Sequence, residues 1–176
     1  MCIRDRHKGV ELVCFDLPEF SVVYRVFVVY RPPTSCYGNS VMSSADNMSQ
    51  LVNCLQTNML KDGVNLILGD FNCPNVNWRN MSCSADTCHT TLYDFAVFNG
   101  LAQCVLMPTR LNSTLDLVFI TDPILVSNIK IDSPFSNSDH NVVDIHILYS
   151  QRSLQATRPP VKRFLWKHGD YSSQHV

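Results

Sequence analysis

The stretch Leu66-Ile67-Leu68-Gly69-Asp70-Phe71-Asn72 sets a carboxylate and, two residues on, an amide at the end of an apolar run. Such a pair can polarise a water and hold an anionic oxygen. Other stretches carry chemistry of the same kind. Asp116 stands inside Leu115-Asp116-Leu117-Val118-Phe119-Ile120, where an unpaired charge is costly, so it calls for a partner or a ligand. Ser138-Asp139-His140 puts a carboxylate beside an imidazole just ahead of an apolar stretch. Tyr30 ends a β-branched, aromatic run at the sharp stop Arg31-Pro32-Pro33. Oxygen donors suit Mg²⁺, with Mn²⁺ as a substitute, because Mg²⁺ keeps several waters and needs only one or two protein carboxylates. A His poised against an Asp can act on a phosphate-borne proton or oxygen. Metal, His and Asp together make a set for phosphodiester hydrolysis. Each residue also has a plainer use. Asp70 and Asn72 are turn formers, Tyr30 could be a strand-end core aromatic, Asp116 could bond local backbone, and Asp139 could cap beside a hydrogen-bonded core His140.

The elements that must position these residues can be read from the pattern. Residues 64–68, bounded by Gly63 and Gly69, form a buried strand ending at Asp70. Residues 11–17 and 22–30 form two strands joined as a hairpin around Pro18-Glu19. Met48, Leu51, Val52, Leu55 and Met59 recur at helical spacing, with Ser43, Ser44 or Asp46 as caps and Gly63 as the stop. Strand, helix and strand in succession make an α/β arrangement. Residues 73–89 read as a long polar loop in which Trp78 packs or stacks on a ligand. A short helix over Leu92–Val97 ends at Asn99-Gly100, and residues 102–107 form a short strand stopped by Pro108. Residues 115–120, 124–131 and 142–148 are further strands. Residues 1–10 carry no periodic pattern and read as a loose start. From Ser150 the pattern fades into a basic, Pro-rich and aromatic stretch, read as a linker over 150–176.

With 176 residues, 45% of them hydrophobic, the chain can bury one sizeable core. Its net charge of −1 gives no overall electrostatic case for nucleic acid, so any basic surface is local. No apolar run is long enough to span a membrane, and no apolar core follows the charged start to make a signal peptide. The eight cysteines are scattered. Cys14, Cys54 and Cys104 lie in apolar-patterned segments as buried thiols, and Cys83, Cys88 and His89 lack a second pair at zinc spacing. A reducing, intracellular setting fits this usage.

Tyr30-Arg31-Pro32-Pro33, Gly69-Asp70-Phe71-Asn72, Thr114-Leu115-Asp116-Leu117-Val118-Phe119 and Ser138-Asp139-His140 resemble, in this order, the endonuclease/exonuclease/phosphatase superfamily. Within it they look most like the apurinic-type endonuclease domain of LINE-type (non-LTR) retrotransposons, over residues 11–149. The tail is similar to the linker that precedes a reverse transcriptase in those polyproteins. The resemblance implies a four-layer sandwich, two β-sheets face to face with helices outside. It also implies Mg²⁺-dependent nicking of DNA, leaving a 3′ hydroxyl that primes reverse transcription. The implied partners are DNA and, in a longer protein, a reverse transcriptase domain and the element's RNA; the implied setting is nuclear. By position, Tyr30 would contact the scissile phosphate, Asp70 would align the attacking water and Asn72 would hold a phosphate oxygen. Asp116 would orient His140, which stabilises or protonates the phosphate, and Asp139 would be a metal ligand. Members of this family carry an earlier Asn strand and a metal-binding Glu strand, and nothing before Glu11 matches either. Glu11 begins the strand expected after them and is left outside the site. The expectation is therefore a domain incomplete at its N-terminus, with open sheet edges and a metal site short of its usual carboxylate. Two alternatives stay open: a catalytically dead remnant that binds nucleic acid or is merely structural, and a cellular phosphoesterase of the same superfamily.

Overall fold

The computed structural model describes residues 2–7, 10–17, 22–32, 35–37 and 40–149. A six-stranded sheet runs in the order β1 (Cys2–His7), β2 (Val10–Leu17), β3 (Tyr24–Tyr30), β6 (Val64–Asp70), β10 (Asp116–Ile120), β9 (Ala102–Gln103). The expected hairpin is there, β2 against β3 from Glu11↔Tyr30 to Leu17↔Tyr24. β3 and β6 are parallel, so the chain must cross over between them, and helix α1 (Ser44–Asn58) makes that crossover. Short strands β4 (Ser35–Tyr37) and β5 (Ser40–Met42) pair with each other on the way to α1. Of the three cap candidates, Ser43 is the one used: its hydroxyl accepts the Asp46 N–H. After the helix, buried Asn65 bonds both the N–H and the C=O of Leu60, which ties the connection to the sheet.

Period-two alternation gives the sheet two apolar faces. Leu12, Cys14, Phe27, Val29, Ile67, Leu117 and Phe119 face α1 and helix α2 (Thr87–Phe98) and form the larger core with Met48, Leu51, Leu55, Leu92 and Phe95. Tyr24, Val26, Val64, Leu66, Val118 and Ile120 face the other way. A second sheet, β11 (Val126–Asp132) against β12 (Val142–Ile147), covers that face with Ile129, Ile131, Val143, Ile145 and Ile147. Two sheets face to face with helices outside the larger one is the expected α/β architecture. Among the described residues the outer face of β11–β12, with Asn128, Lys130, Asp144 and His146, is exposed and carries no helix.

The structure departs from the sequence reading in local places. Residues 2–7, read as part of a loose start, pair along β2 from Cys2↔Phe15 to His7↔Val10. Pairing at a sheet edge uses backbone groups and needs no apolar period. The polar stretch 73–89 holds a small hairpin, β7 (Val76–Asn77) and β8 (Ser82–Cys83), and the first residues of α2. That helix begins five residues earlier than its apolar pattern, because Asp86 caps it by accepting the Cys88 N–H. The strand expected over 102–107 shrinks to two residues, since the Gln103 side chain bonds the backbone of Val105 and competes with the ladder. A 3₁₀ turn at Pro123–Leu125, capped by Asp122, delays β11 to Val126. The linker read over 150–176 lies outside the described residues.

Candidate active site

Strand register assembles the site. Glu11, Tyr30, Asp70 and Asp116 stand opposite one another in a single row across β2, β3, β6 and β10. Neighbouring strands lie about 4.8 Å apart, so this row is a contiguous polar edge. Its side chains belong to the face covered lower down by β11–β12, as Val26, Leu66 and Val118 do on the same strands. The loop entering β12 then brings His140 over the row. Its Nδ1 lies 2.8 Å from Asp116 Oδ2, with both side chains about three-quarters buried. Because a carboxylate can only accept, that contact fixes Nδ1 as the donor and leaves Nε2 to face outward.

Asp70 and Asn72 form one unit. Asn72 adopts a left-handed backbone, φ 46°, a conformation Asn tolerates better than most residues. Its backbone N–H donates to Asp70 Oδ1 at 3.0 Å, and its Nδ2 donates to Asp70 Oδ2 and to Arg31 O, each at 2.8 Å. Burial pushes the Asp70 carboxyl above its ordinary range, and the neighbouring Asp116 charge adds to this, while the Asn72 bonds and His140 pull the other way. Tyr30 is about half exposed at the rim, so it is a reachable phenol rather than a core aromatic. Asp139 is turned to another use: its Oδ2 takes Arg110 Nε at 2.7 Å and Nη2 at 2.5 Å. The Arg110 guanidinium holds that carboxyl below the usual range.

Tyr30, Asp70, Asn72, Asp116 and His140 are thus brought together, and Asp139 adjoins them with its carboxylate on Arg110. Two positioning residues have no obvious signal in the sequence. Thr109 is fully buried, and its hydroxyl accepts the N–H groups of both Leu115 and Asp116 at 3.0 Å. Its carbonyl accepts from Asn141 N, next to His140, at 2.7 Å, so one threonine joins the strand start to the histidine loop. Arg31, read as part of a strand stop and of the Tyr30-Arg31-Pro32-Pro33 motif but given no role of its own, is also fully buried. Trp78 packs instead of waiting for a ligand: its ring meets Phe119 at 5.2 Å and Tyr93 at 6.2 Å. His89 Nδ1 lies 3.1 Å from Asp86 Oδ1 and 3.2 Å from Ser84 Oγ at the start of α2.

Oxygen-only donors at this edge suit a hard divalent cation. Asp70 and Asp116 lie side by side with Asp70 reluctant to ionise, a state that a cation would relieve. Among the described residues no group of three His, Cys, Asp or Glu gathers as a metal cage. Mg²⁺, which completes its shell with waters and substrate phosphate, does not need one.

No curated protein matches this sequence. Among solved structures it resembles the endonuclease domain of TRAS1, a telomere-specific non-LTR retrotransposon, at 17% identity and a TM-score of 0.55, over 84% of this chain and 68% of that one. It also aligns with an endonuclease/exonuclease/phosphatase family protein from Leptotrichia buccalis, at 15% identity and a TM-score of 0.46, over 78% of this chain and 54% of that one. The family model described as endonuclease-reverse transcriptase matches residues 24–144, from the first residue of β3 to the middle of β12. That span contains every residue of the convergent edge except Glu11, and the chain belongs to the endonuclease–reverse transcriptase family of the endonuclease/exonuclease/phosphatase superfamily.

Proposed function

We propose that this edge hydrolyses a phosphodiester of DNA, nicking one strand in the manner expected of a non-LTR retrotransposon endonuclease. The observation that carries the reading is the row Tyr30–Asp70–Asp116 with His140 hydrogen-bonded to its end. Asp70 is suited to align the attacking water and draw its proton, because its raised affinity for a proton makes it a better base than a free carboxylate. His140, oriented through Nδ1 by Asp116, would as the imidazolium donate its Nε2–H to a phosphate oxygen and so offset developing charge there. Tyr30 offers its exposed hydroxyl to the same phosphate. Asn72 would hold a non-bridging oxygen through the Nδ2–H it now gives to Asp70, so substrate must exchange that bond. A divalent cation, held by Asp139 after release from Arg110 and by phosphate oxygens, would supply Lewis-acid neutralisation of the phosphate. With one assigned carboxylate for it, nicking by these 176 residues is expected to be slow.

A second reading, binding without cleavage, draws on Arg110 occupying Asp139 and on Asn72 having both amide hydrogens engaged. Conversion of supercoiled to open-circular plasmid, with and without chelator, separates the two. Chelator-sensitive nicking that falls about 10²–10⁴-fold in His140→Ala is the expected result. Nicking indifferent to His140 would refute the assignment. Plasmid binding without nicking would favour the second reading, and hydrolysis of a small phosphate ester in preference to plasmid would point to a cellular phosphoesterase.

A further inference from the structure

Arg31 is 1% exposed, and a buried guanidinium needs a counter-charge or a full set of acceptors. Among the described residues no carboxylate pairs with it. Nη1 donates to Phe71 O at 2.9 Å and to Asn72 O at 3.2 Å. Nη2 donates to Ser44 O at 3.2 Å, to Ser44 Oγ at 2.5 Å and to Cys88 Sγ at 3.1 Å. Nε is buried without a partner. The backbone completes the grip: Arg31 N donates to Asp70 O at 2.8 Å, and Arg31 O accepts from Asn72 Nδ2. One side chain therefore binds the catalytic loop to the start of α1 and to the start of α2.

We propose that Arg31 is the positioning residue of the Asp70–Asn72 loop and that its counter-ion is the thiolate of Cys88. The proposal rests on the functional reading above only for the value of holding Asn72 in place. The geometry around the sulfur favours the anion. Cys88 is 3% exposed in the first turn of α2, where the helix dipole stabilises negative charge. Beside it stand Cys73 from the loop after β6, Arg31 from the end of β3, Ser44 from α1, and Asp86 and His89 on its own helix. The Cys73 thiol donates to it and lowers it most. Ser44, Arg31 and His89 add to this against the cost of burial, bringing Cys88 to about 6. Cys73, which keeps the proton, is pushed up in turn. A carboxylate at this point would carry a strongly hydrated charge into the larger core, whereas a thiolate is soft and close to apolar in size.

The test is a pH titration of the full chain labelled with ¹³C at cysteine Cβ, together with the Asn72 side-chain amide resonances. The Cys88 signal is expected to titrate well below the ordinary thiol value of about 8.5. In Arg31→Gln its midpoint should rise by about one pH unit or more and the Asn72 amide signals should move. Arg31→Lys, which keeps the charge, should restore part of the lowered midpoint, a rescue that lost packing alone would not give. The wild-type titration decides the matter even where a variant fails to fold: a Cys88 midpoint at or above the ordinary value overturns the proposal. Failure of plasmid nicking with Cys88 titrating low refutes the functional reading and leaves this one standing. Nicking with an ordinary Cys88 does the reverse.

Discussion

Gly69 should be the least replaceable residue near the site. It precedes Asp70 with φ +142°, in a region that L side chains rarely enter. A Cβ placed there would lie 1.8 Å from Val29 O, 2.8 Å from Val29 C and 2.9 Å from Val29 N, all backbone atoms of the paired strand β3. Ordinary contact begins near 3.4 Å, so the two strands would have to part by about 1.6 Å. The backbone conformation alone costs about 1–3 kcal/mol with a side chain. Parting the strands at Val29↔Gly69 and Tyr30↔Asp70 loses roughly two ladder hydrogen bonds at about 1 kcal/mol each. Gly69→Ala should therefore cost about 3–5 kcal/mol, a large share of the 5–15 typical of a domain. With a urea m-value near ~2 kcal/mol/M, the unfolding midpoint should fall by about 1.5–2.5 M. Gly100→Ala is the control: it also has positive φ, +61°, but meets nothing within 4 Å, and should cost only about 1 kcal/mol. Equal midpoint shifts for the two variants would refute the steric argument.

The remaining expectations concern the charges and the anchor of the site. Asp70 has a folded pKa above its ordinary 3.8, so its contribution is present below that value and is lost as pH rises through the folded value. Wild type should therefore lose stability relative to Asp70→Asn as pH climbs upward from 3.8, and parallel stability–pH curves would contradict the burial argument. Arg110→Ala should leave the unfolding midpoint unchanged while tightening Mn²⁺ binding, read by water proton relaxation, because Asp139 loses its competitor; unchanged or weaker Mn²⁺ binding would mean that Asp139 is not the ligand. Phe71→Leu removes an edge-on contact with Phe119 at 5.5 Å from a fully buried site and should cost about 1–2 kcal/mol by urea titration. It should also slow nicking by more than that loss of folded protein explains; a purely proportional effect would mean that Phe71 does not hold the loop.

What was legible in the sequence is what periodicity and local chemistry can encode. The run ending at Asp70, the hairpin of β2 with β3, the amphipathic spacing of α1 and a cap among Ser43, Ser44 and Asp46 all follow from neighbours within a turn or two. So did the suspicion about Asp116, although the relief of its charge is simpler than a site deep in a strand. It is the first residue of β10, at the sheet's edge, with His140 beside it. Contacts that join distant segments were not legible. Thr109 looks like an ordinary residue after a proline until Leu115, Asp116 and Asn141 are folded onto it. The engagement of Asp139 by Arg110 crosses 29 positions. Arg31 and Cys88 lie 57 apart, and each has a bland reading by itself, as a strand stop and a scattered cysteine.

The dipeptide form of the motifs has a physical cause in the pleat. Consecutive strand residues point to opposite faces, so a reactive group at the rim is followed by a residue aimed into the helix-side core. Tyr30 is followed by Arg31, Asp70 by Phe71 and Asp116 by Leu117, and all three followers are 1% exposed or less. Phe71 and Leu117 anchor their strand ends by apolar packing in the larger core. Arg31 does so with hydrogen bonds, including one to Phe71 O itself. Each rim group is therefore held from behind by the next residue in the chain, and strand register sets the spacing between them. A site built this way does not depend on loop conformation for Tyr30, Asp70 and Asp116; Asn72, Asp139 and His140 come from loops. Each of these three has an added restraint, Asn72 by Arg31 and Asp70, Asp139 by Arg110, and His140 by Asp116 and by Ser138 Oγ at its backbone N–H. Rigid strand ends can place a water and a phosphate, while the hydrogen bond from Asn72 Nδ2 to Asp70 is exchangeable, and an incoming phosphate can displace it without disturbing the row.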